Sequence, residues 1–339
     1  INPDPPLLSY FKAGTPLRMG LDFVDTHWGS CPLKFVIADS QGRKVTDKKV
    51  LASLWELHGE LERYEPVGNV LSLPLILKQV YHESKLARFA TKERILKVLS
   101  GPDYGGIADQ IVTKDRTKTL LILRMRSLYQ KESRSEVLER LKSMIYQYGF
   151  EVEITGGFYY LQSCLSKIVL ASLWSGMLQF LIVFFFMGYF LSRSFRVTFI
   201  LLVCVFVIPV SLLGFIGFLK IPLDIISAPA SSLAIGMGVD AMFHVLILVR
   251  RLSKNNMSQW EFWQEARRRI WKPVVASNGI VMAGYSIFVL SFFPPTQRFG
   301  ISVVIGTLMS TVATLVILPA LVAIRRPAAL EIPELNDSL

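Results

Sequence analysis

Two ionisable residues stand inside a long apolar stretch, where a charge is costly. Asp240 lies near the middle of the run GMGVDAMFHVLILVRR, and His244 follows four residues later. This spacing places both side chains on one helical face, about 6 Å apart along the axis. A carboxylate at mid-membrane costs roughly 2.5–3.5 kcal/mol on insertion scales, so such residues usually mark ion or proton paths. Because carboxylates and histidine exchange protons, the pair predicts a proton relay. The alternative is a structural hydrogen bond between helices.

Short polar side chains in two later apolar stretches extend this hypothesis to a path. The candidates are Ser277, Asn278, Thr307, Ser310, Thr311 and Thr314. The last four repeat at helical spacing, so they lie along one side of a helix. Ser and Thr in membrane helices often bond only to their own backbone, which leaves a purely structural role open for each of them.

The elements that position these residues are five apolar stretches. The chain has 339 residues, of which 52% are hydrophobic, and long apolar runs begin only after residue 160. About 20 apolar residues cross the hydrocarbon of a bilayer as a helix. The predicted spans are 171–191, 197–219, 226–249, 273–293 and 299–323. The sequence thus predicts a soluble domain at 1–160, a membrane domain at 161–326 and a short cytoplasmic tail at 327–339.

The charges between the spans predict the orientation. Connections on one side carry the basic residues Arg193, Arg196, Arg250, Arg251, Lys254, Arg267, Arg268, Arg269, Lys272, Arg325 and Arg326. The other side carries only Lys220 and Arg298. By the positive-inside rule the first set faces the cytoplasm, and the soluble domain then lies on the extracytoplasmic side. These loops also account for most of the net charge of +11, which removes the argument for a nucleic-acid partner.

The longest basic connection is predicted to form an amphipathic helix of its own. Ser258 and Glu261 have the spacing of a capping box, and tryptophans cluster on one side while Arg267–Arg269 point elsewhere. Such a helix tends to lie in the membrane interface. We interpret it as an anchor, with a lipid-specific binding site as the alternative.

The soluble part predicts two strand–helix–strand units. The first comprises Leu33–Ala38, Thr46–Tyr64 and a strand near Asn69–Leu71. The second comprises Leu120–Met125, Ser133–Tyr148 and Glu151–Thr155, with a capping box at Ser133 and Glu136. A basic helical stretch over residues 73–100 joins them. Two such units usually form a ferredoxin-like, split βαβ sandwich, so the predicted fold class is an α+β membrane protein with this domain followed by a five-helix transmembrane bundle.

The remaining polar residues do not predict an enzyme. His27, His58 and His82 lack metal-ligand spacing, and Gly105-Gly106 follows no strand, as a phosphate loop would. No nucleophile–base pair is apparent either. We therefore expect neither catalysis nor a bound metal or cofactor.

Three short motifs occur in order in the second half of the chain. They are Gly238-Val239-Asp240 with His244 and Arg250, then Lys272-Pro273-Val274 with Ser277, then Ser291, Pro294, Pro295, Phe299 and Gly300. Together with the preceding αβ domain, they resemble the resistance–nodulation–division (RND) superfamily, specifically its MMPL-type, or hydrophobe and lipid exporter, branch. The resemblance covers nearly the whole chain.

The resemblance implies a proton-driven exporter of a lipid or other hydrophobic molecule in the cytoplasmic (inner) membrane. Such proteins have twelve spans in two similar halves, each with a porter domain. This chain resembles the C-terminal half, so its implied partners are the N-terminal half, membrane lipids and a hydrophobic substrate. Asp240 occupies the family's proton-carrying position. Members usually carry Tyr or a second Asp directly after it, whereas this chain has Ala241, so its partner is expected to be His244 or a group from the other half.

Two alternatives share the same membrane architecture. A sterol-sensing, Patched-like receptor would bind a lipid and report on it without pumping. A SecDF-like accessory would use the proton gradient to help polypeptides across the membrane. For the exporter and the SecDF-like accessory, the energy source is the proton gradient rather than a cofactor. The substrate and a homo-oligomeric state are left open by the sequence.

Overall fold

The computed structural model describes residues 5–83, 90–252 and 259–323. The described chain forms two compact units, one over Pro6–Leu165 and one from Ser166 onward. Arg325, Arg326, the predicted tail and the predicted Ser258 cap lie outside the described residues, as do the side chains of Arg250 and Glu261.

The first unit contains a four-stranded antiparallel sheet. Its strands are β1 (Cys31–Asp39), β2 (Val67–Leu71), β3 (Lys118–Met125) and β4 (Phe150–Gly156), in the order β2-β3-β1-β4. In β1, Cys31, Leu33, Phe35 and Ile37 are fully buried, and the residues between them are less so. This alternation follows from the two-residue period of a strand and places one sheet face on the hydrophobic core.

The described part of the first unit also contains six helices. They are α1 (Pro16–Trp28), α2 (Lys48–Arg63), α3 (Leu73–Glu83), α4 (Lys92–Leu99), α5 (Ile107–Ile111) and α6 (Arg134–Gln147). The capping box of α6 is confirmed: Ser133 Oγ accepts from the Glu136 N–H, and the Glu136 carboxylate accepts from the Ser133 N–H at 2.8 Å. Helices α3, α4 and α5 all come between β2 and β3 along the chain.

The second unit contains the membrane-length helices. They are α7 (Phe158–Ser192, which begins in the first unit), α8 (Phe195–Phe218), α9 (Pro229–Leu252), α10 (Gln259–Ser286) and α11 (Pro294–Val312). A π-helical turn continues α11 into α12 (Leu318–Ala323). All five are long and apolar enough to cross a membrane, α11 together with its continuation, so the described residues contain as many candidate spans as the sequence predicts.

The prediction of a separate amphipathic helix before the fourth span is wrong. Helix α10 runs without a break from Gln259 to Ser286 and passes through Pro273. Proline removes one backbone donor, but helices in membrane proteins tolerate it where neighbouring groups satisfy the freed carbonyl. The basic segment Arg267–Lys272 is therefore a direct extension of the fourth span.

Helices α8, α9 and α11 form the centre of the bundle. In the most apolar 18-residue segment of each, 39 to 50% of the residues are buried, against 6% in α7 and 11% in α10. Small residues bring α9 and α11 into close contact: a methyl group added at Gly306 would lie 2.4 Å from the Ala234 Cβ. Such small-residue contacts are typical of helix packing in membranes.

Candidate proton-relay site

Asp240 and His244 lie on the same face of α9, as their spacing predicts. The His244 Nε2 and Asp240 Oδ1 atoms are 3.6 Å apart, within ion-pair distance when the histidine is protonated. Their side chains are 74% and 80% exposed, respectively. Gly238, which packs against Ile208 and Ser310, lies about 200° around the helix from Asp240 at 3.6 residues per turn. The pair therefore points away from α8 and α11.

This exposure sets an energetic requirement on the face of α9 that bears the pair. An ionised carboxylate in hydrocarbon is costly, and acids within spans almost always face a bundle interior or a water-filled cavity. Within the described bundle, Asp240 and His244 face outward together with Leu233 and Gly236. An ionised Asp240 on this face would therefore need a further protein surface or water beside it within a membrane.

A second polar group lies between α10 and α11. The Asn278 side-chain amide donates to Thr311 Oγ1 at 2.7 Å, and the Thr311 hydroxyl donates to the Thr307 carbonyl at 2.8 Å. Asn278 and Thr307 are both buried. Among the remaining path candidates, Ser277 is exposed, whereas Ser310 and Thr314 are buried. Asp240 and His244 thus form one set, and hydrogen bonds join Asn278, Thr311 and Thr307 in another.

Helix α11 places its hydroxyls along the interior of the bundle. Ser302, Thr307, Ser310 and Thr314 are fully buried. Thr307 bonds to its own backbone, donating to the Val303 carbonyl at 2.8 Å, and it also lies 3.8 Å from Met237 Sδ. Met237 is three residues before Asp240, so the hydroxyl row reaches the helix that carries the proposed relay but not its exposed face.

The sequence interpretation missed an ion pair at the end of the bundle where α8 ends and α11 begins. Arg298 Nη1 lies 3.1 Å from Asp224 Oδ2, and the Asp224 side chain is fully buried. The other Asp224 oxygen accepts the N–H groups of Ile226 and Ser227 at 3.1 and 2.7 Å. The pair ties the α8–α9 connection to the start of α11. The sequence contained one signal for this pair: two opposite charges near the ends of spans, in connections predicted to lie on the same side of the membrane.

The first unit holds a serine–histidine–glutamate alignment that is structural. His58 Nδ1 lies 3.1 Å from Ser72 Oγ, and its Nε2 lies 3.4 Å from Glu62 Oε1. Ser72 and His58 are almost fully buried, so a substrate does not reach the hydroxyl. Burial lowers the pKa of His58, which keeps it neutral where it joins α2 to the start of α3. Among the described residues, no three acids, histidines or cysteines are grouped to bind a metal.

Comparison with known proteins identifies one family that the chain matches. The chain matches the MMPL family over residues 17–332, a range that includes nearly all of both units. No curated protein sequence matches the chain significantly.

Proposed function

The chain belongs to the MMPL family of membrane transporters of lipid-like substrates, and we propose that it is the C-terminal half of a proton-driven RND-type exporter. Its cargo would be a lipid or another hydrophobic molecule. Proton binding at Asp240 would change the packing of the helices around α9, and the soluble domain would guide the cargo on the extracytoplasmic side.

The observation that carries this proposal is the paired carboxylate and imidazole on the open face of α9. At 3.6 Å, His244 is placed to accept a proton from Asp240 or to stabilise its charge. An acid serving only helix packing is expected to point towards its neighbours, as Asp224 does. Asp240 instead points outward, which supports a role with a partner outside these five helices.

We propose that this partner is the N-terminal half of the same transporter. Two similar halves would meet across their α9-type helices and enclose Asp240 and His244 between them, which would remove the cost of exposing a charge to lipid. Because Ala241 follows Asp240, the chain offers no second acid at that point. The relay would then consist of Asp240, His244 and a group from the facing half.

Two further features support the domain arrangement of this proposal. The strand order β2-β3-β1-β4 with antiparallel neighbours is the order expected of a split βαβ porter domain. The basic side chains at the α7–α8 turn and on α10 favour placing that end of the bundle in the cytoplasm of a cell with an inner membrane. The porter domain would then be extracytoplasmic.

Lipid movement in proteoliposomes tests the exporter against its two rivals. The intact protein would be reconstituted with a phospholipid carrying a nitrobenzoxadiazole fluorophore, and a pH gradient would be imposed. We expect the fluorophore to change leaflet, read by dithionite quenching, only when the gradient is present. Liposomes without protein and the isosteric Asp240→Asn variant are the controls.

The outcomes separate the three functions. Gradient-dependent movement lost in Asp240→Asn supports export. Saturable binding of the fluorescent lipid without any effect of the gradient would contradict export and favour a lipid receptor. If the lipid neither binds nor moves while an unfolded polypeptide binds the soluble domain, the secretion-accessory function is favoured instead.

A further inference from the structure

One end of the bundle carries a concentration of exposed basic side chains. Because successive helices run in opposite directions, the end of α7, the start of α8, the end of α9 and the start of α10 meet there. Besides Arg269, which is paired with an acid, the exposed basic residues at this end of the described chain are Arg193, Arg196, Arg251, Arg267, Arg268 and Lys272. Among the described side chains of this end, the one acid is Glu265, which pairs with Arg269 at 2.5 Å. We call this set the basic collar.

The outward face of α10 concentrates two of these charges beside an aromatic ring. Arg268 and Lys272 are four residues apart and therefore neighbours on one helical face. Ala266 and Val274 are buried on the opposite side, and Trp271, which borders the basic face, is 51% exposed. Like charges one turn apart repel each other, so an anion held between them would relieve that repulsion.

The depth of this face follows from the continuity of α10. Val274 lies two residues after Lys272, and the apolar part of the span continues from there. Since the helix does not break at Pro273, Arg268 and Lys272 lie within two helical turns of the apolar part of α10. Basic side chains at that depth lie where lipid headgroups are, and Trp prefers the same interfacial layer.

The α7–α8 turn adds a second basic and aromatic group. Its conformation is fixed by hydrogen bonds: Arg193 N–H donates to the Tyr189 carbonyl at 2.7 Å, and the Ser192 and Thr198 hydroxyls are 3.0 Å apart. Arg193 and Arg196 are both exposed there. The Phe195 ring lies 4.5 Å from that of Tyr189 and is itself exposed. The turn thus presents cations and aromatic rings together in a fixed arrangement.

We propose that the basic collar binds the headgroups of anionic phospholipids, with Arg268, Lys272 and Trp271 at the centre of the site. Guanidinium and ammonium groups would bind the lipid phosphate, and the exposed rings would lie against the glycerol and upper acyl chains. A topology signal needs only the number of charges in a loop. The collar instead holds its charges on continuous or hydrogen-bonded structure beside aromatic rings, which favours a binding surface.

Thermal unfolding of the purified intact protein in detergent, with added lipid, tests this inference. The probes are phosphatidylglycerol, phosphatidylcholine and inorganic phosphate at equal concentration. We expect phosphatidylglycerol to raise the unfolding temperature at least twice as much as phosphatidylcholine. Inorganic phosphate should have no effect, and 0.5 M salt should reduce the lipid effect, because the attraction is between charges.

The double variant Arg268→Gln/Lys272→Gln should lose at least half of the phosphatidylglycerol effect. Lys48→Gln/Lys49→Gln is the matched control, because it removes two exposed charges from α2 in the soluble unit, and it should retain the full effect. The single variants Arg268→Gln and Lys272→Gln replace the double variant if that protein does not fold. Equal stabilisation by both lipids, equal stabilisation by phosphate, or full retention of the effect in the α10 variants would overturn the proposal.

Discussion

At the scale of the residue, the role that we propose for Asp240 sets two requirements that conflict. To carry a proton it must be charged for part of the cycle, yet a charge at mid-membrane costs roughly 2.5–3.5 kcal/mol on insertion scales. His244, 3.6 Å away, offsets part of this cost when it is protonated. An enclosed environment would reduce the rest of this cost, and the facing half that we propose would provide it.

His58 gives a pH-dependent prediction for the soluble unit. Burial holds its pKa below the usual 6.5, with Glu62 opposing this shift and Lys78 adding to it. The unfolded chain therefore binds the proton first as the pH falls through 6.5. We expect stability that is fully present above pH 6.5 to decline below it, by at most about 1.4 kcal/mol per pH unit from this residue. His58→Gln should reduce that decline between pH 7.5 and 5.5.

The stability of the soluble unit at each pH can be measured through Cys31, which is fully buried and has its pKa raised to about 12 by burial. Its labelling by dithiodipyridine in increasing urea, located by peptide mass spectrometry, reports unfolding of the soluble unit within the intact chain. His82→Gln, at an exposed position in α3, is the matched control and should keep the wild-type pH dependence. If the stability of His58→Gln fell as much as that of the wild-type protein between pH 7.5 and 5.5, His58 would not be the cause of the pH dependence.

At the scale of the element, close packing of α9 on α11 holds the centre of the bundle. Gly306→Ala would place a methyl group 2.4 Å from the Ala234 Cβ. This Cβ is bonded directly to the backbone, so it cannot move aside as the end of a flexible side chain can. We expect the helices to separate slightly and the variant to lose about 1–3 kcal/mol of stability, the usual cost of overpacking. Thermal unfolding of the purified protein measures the change.

The matched control is Gly214→Ala in α8, where an added methyl group meets no atom within 4 Å. Alanine has the higher helix propensity, so this variant should be neutral or slightly more stable. An unfolding temperature for Gly306→Ala equal to that of Gly214→Ala would show that α9 and α11 are not tightly packed at this point.

Local patterns predicted most elements because their causes are local. The capping residues Ser133 and Glu136, the alternation in β1 and the length of the apolar runs each depend on a few neighbouring positions. The continuity of α10 was not predicted, because charge and tryptophan content suggested a helix in the interface and the fourth span was predicted to begin only at residue 273, which is a proline. Whether proline ends a helix depends on the groups around it, which the sequence of that segment does not contain.

At the scale of the whole molecule, the helices of the five-helix bundle differ widely in burial. Helices α8, α9 and α11 cover one another, whereas α7 and α10 remain largely exposed. Apolar side chains on these outer helices are suited to lipid, but the face of α9 with Asp240 is not. The bundle therefore has one surface that lipid does not satisfy, and this is the surface that we propose another half covers.

The geometry of the candidate site was predicted only in part, and its chemistry stays a prediction. The residue types and the spacing of four placed Asp240 beside His244. They did not show that Asn278 and Thr311 form a separate group, because contacts between α10 and α11 depend on how distant segments pack. The Asp224–Arg298 pair, separated by 74 residues, was missed for the same reason.

The most direct test of the central claim is the movement of protons through Asp240. The intact protein would be reconstituted in vesicles that contain the pH-sensitive dye pyranine, and the internal pH would be followed after an external pH jump. We predict proton entry faster than in vesicles without protein, loss of that difference in Asp240→Asn, and its retention in Ser175→Ala, an exposed polar residue of α7 outside the candidate path. Proton entry in Asp240→Asn at the wild-type rate, with the variant folded, would contradict the account.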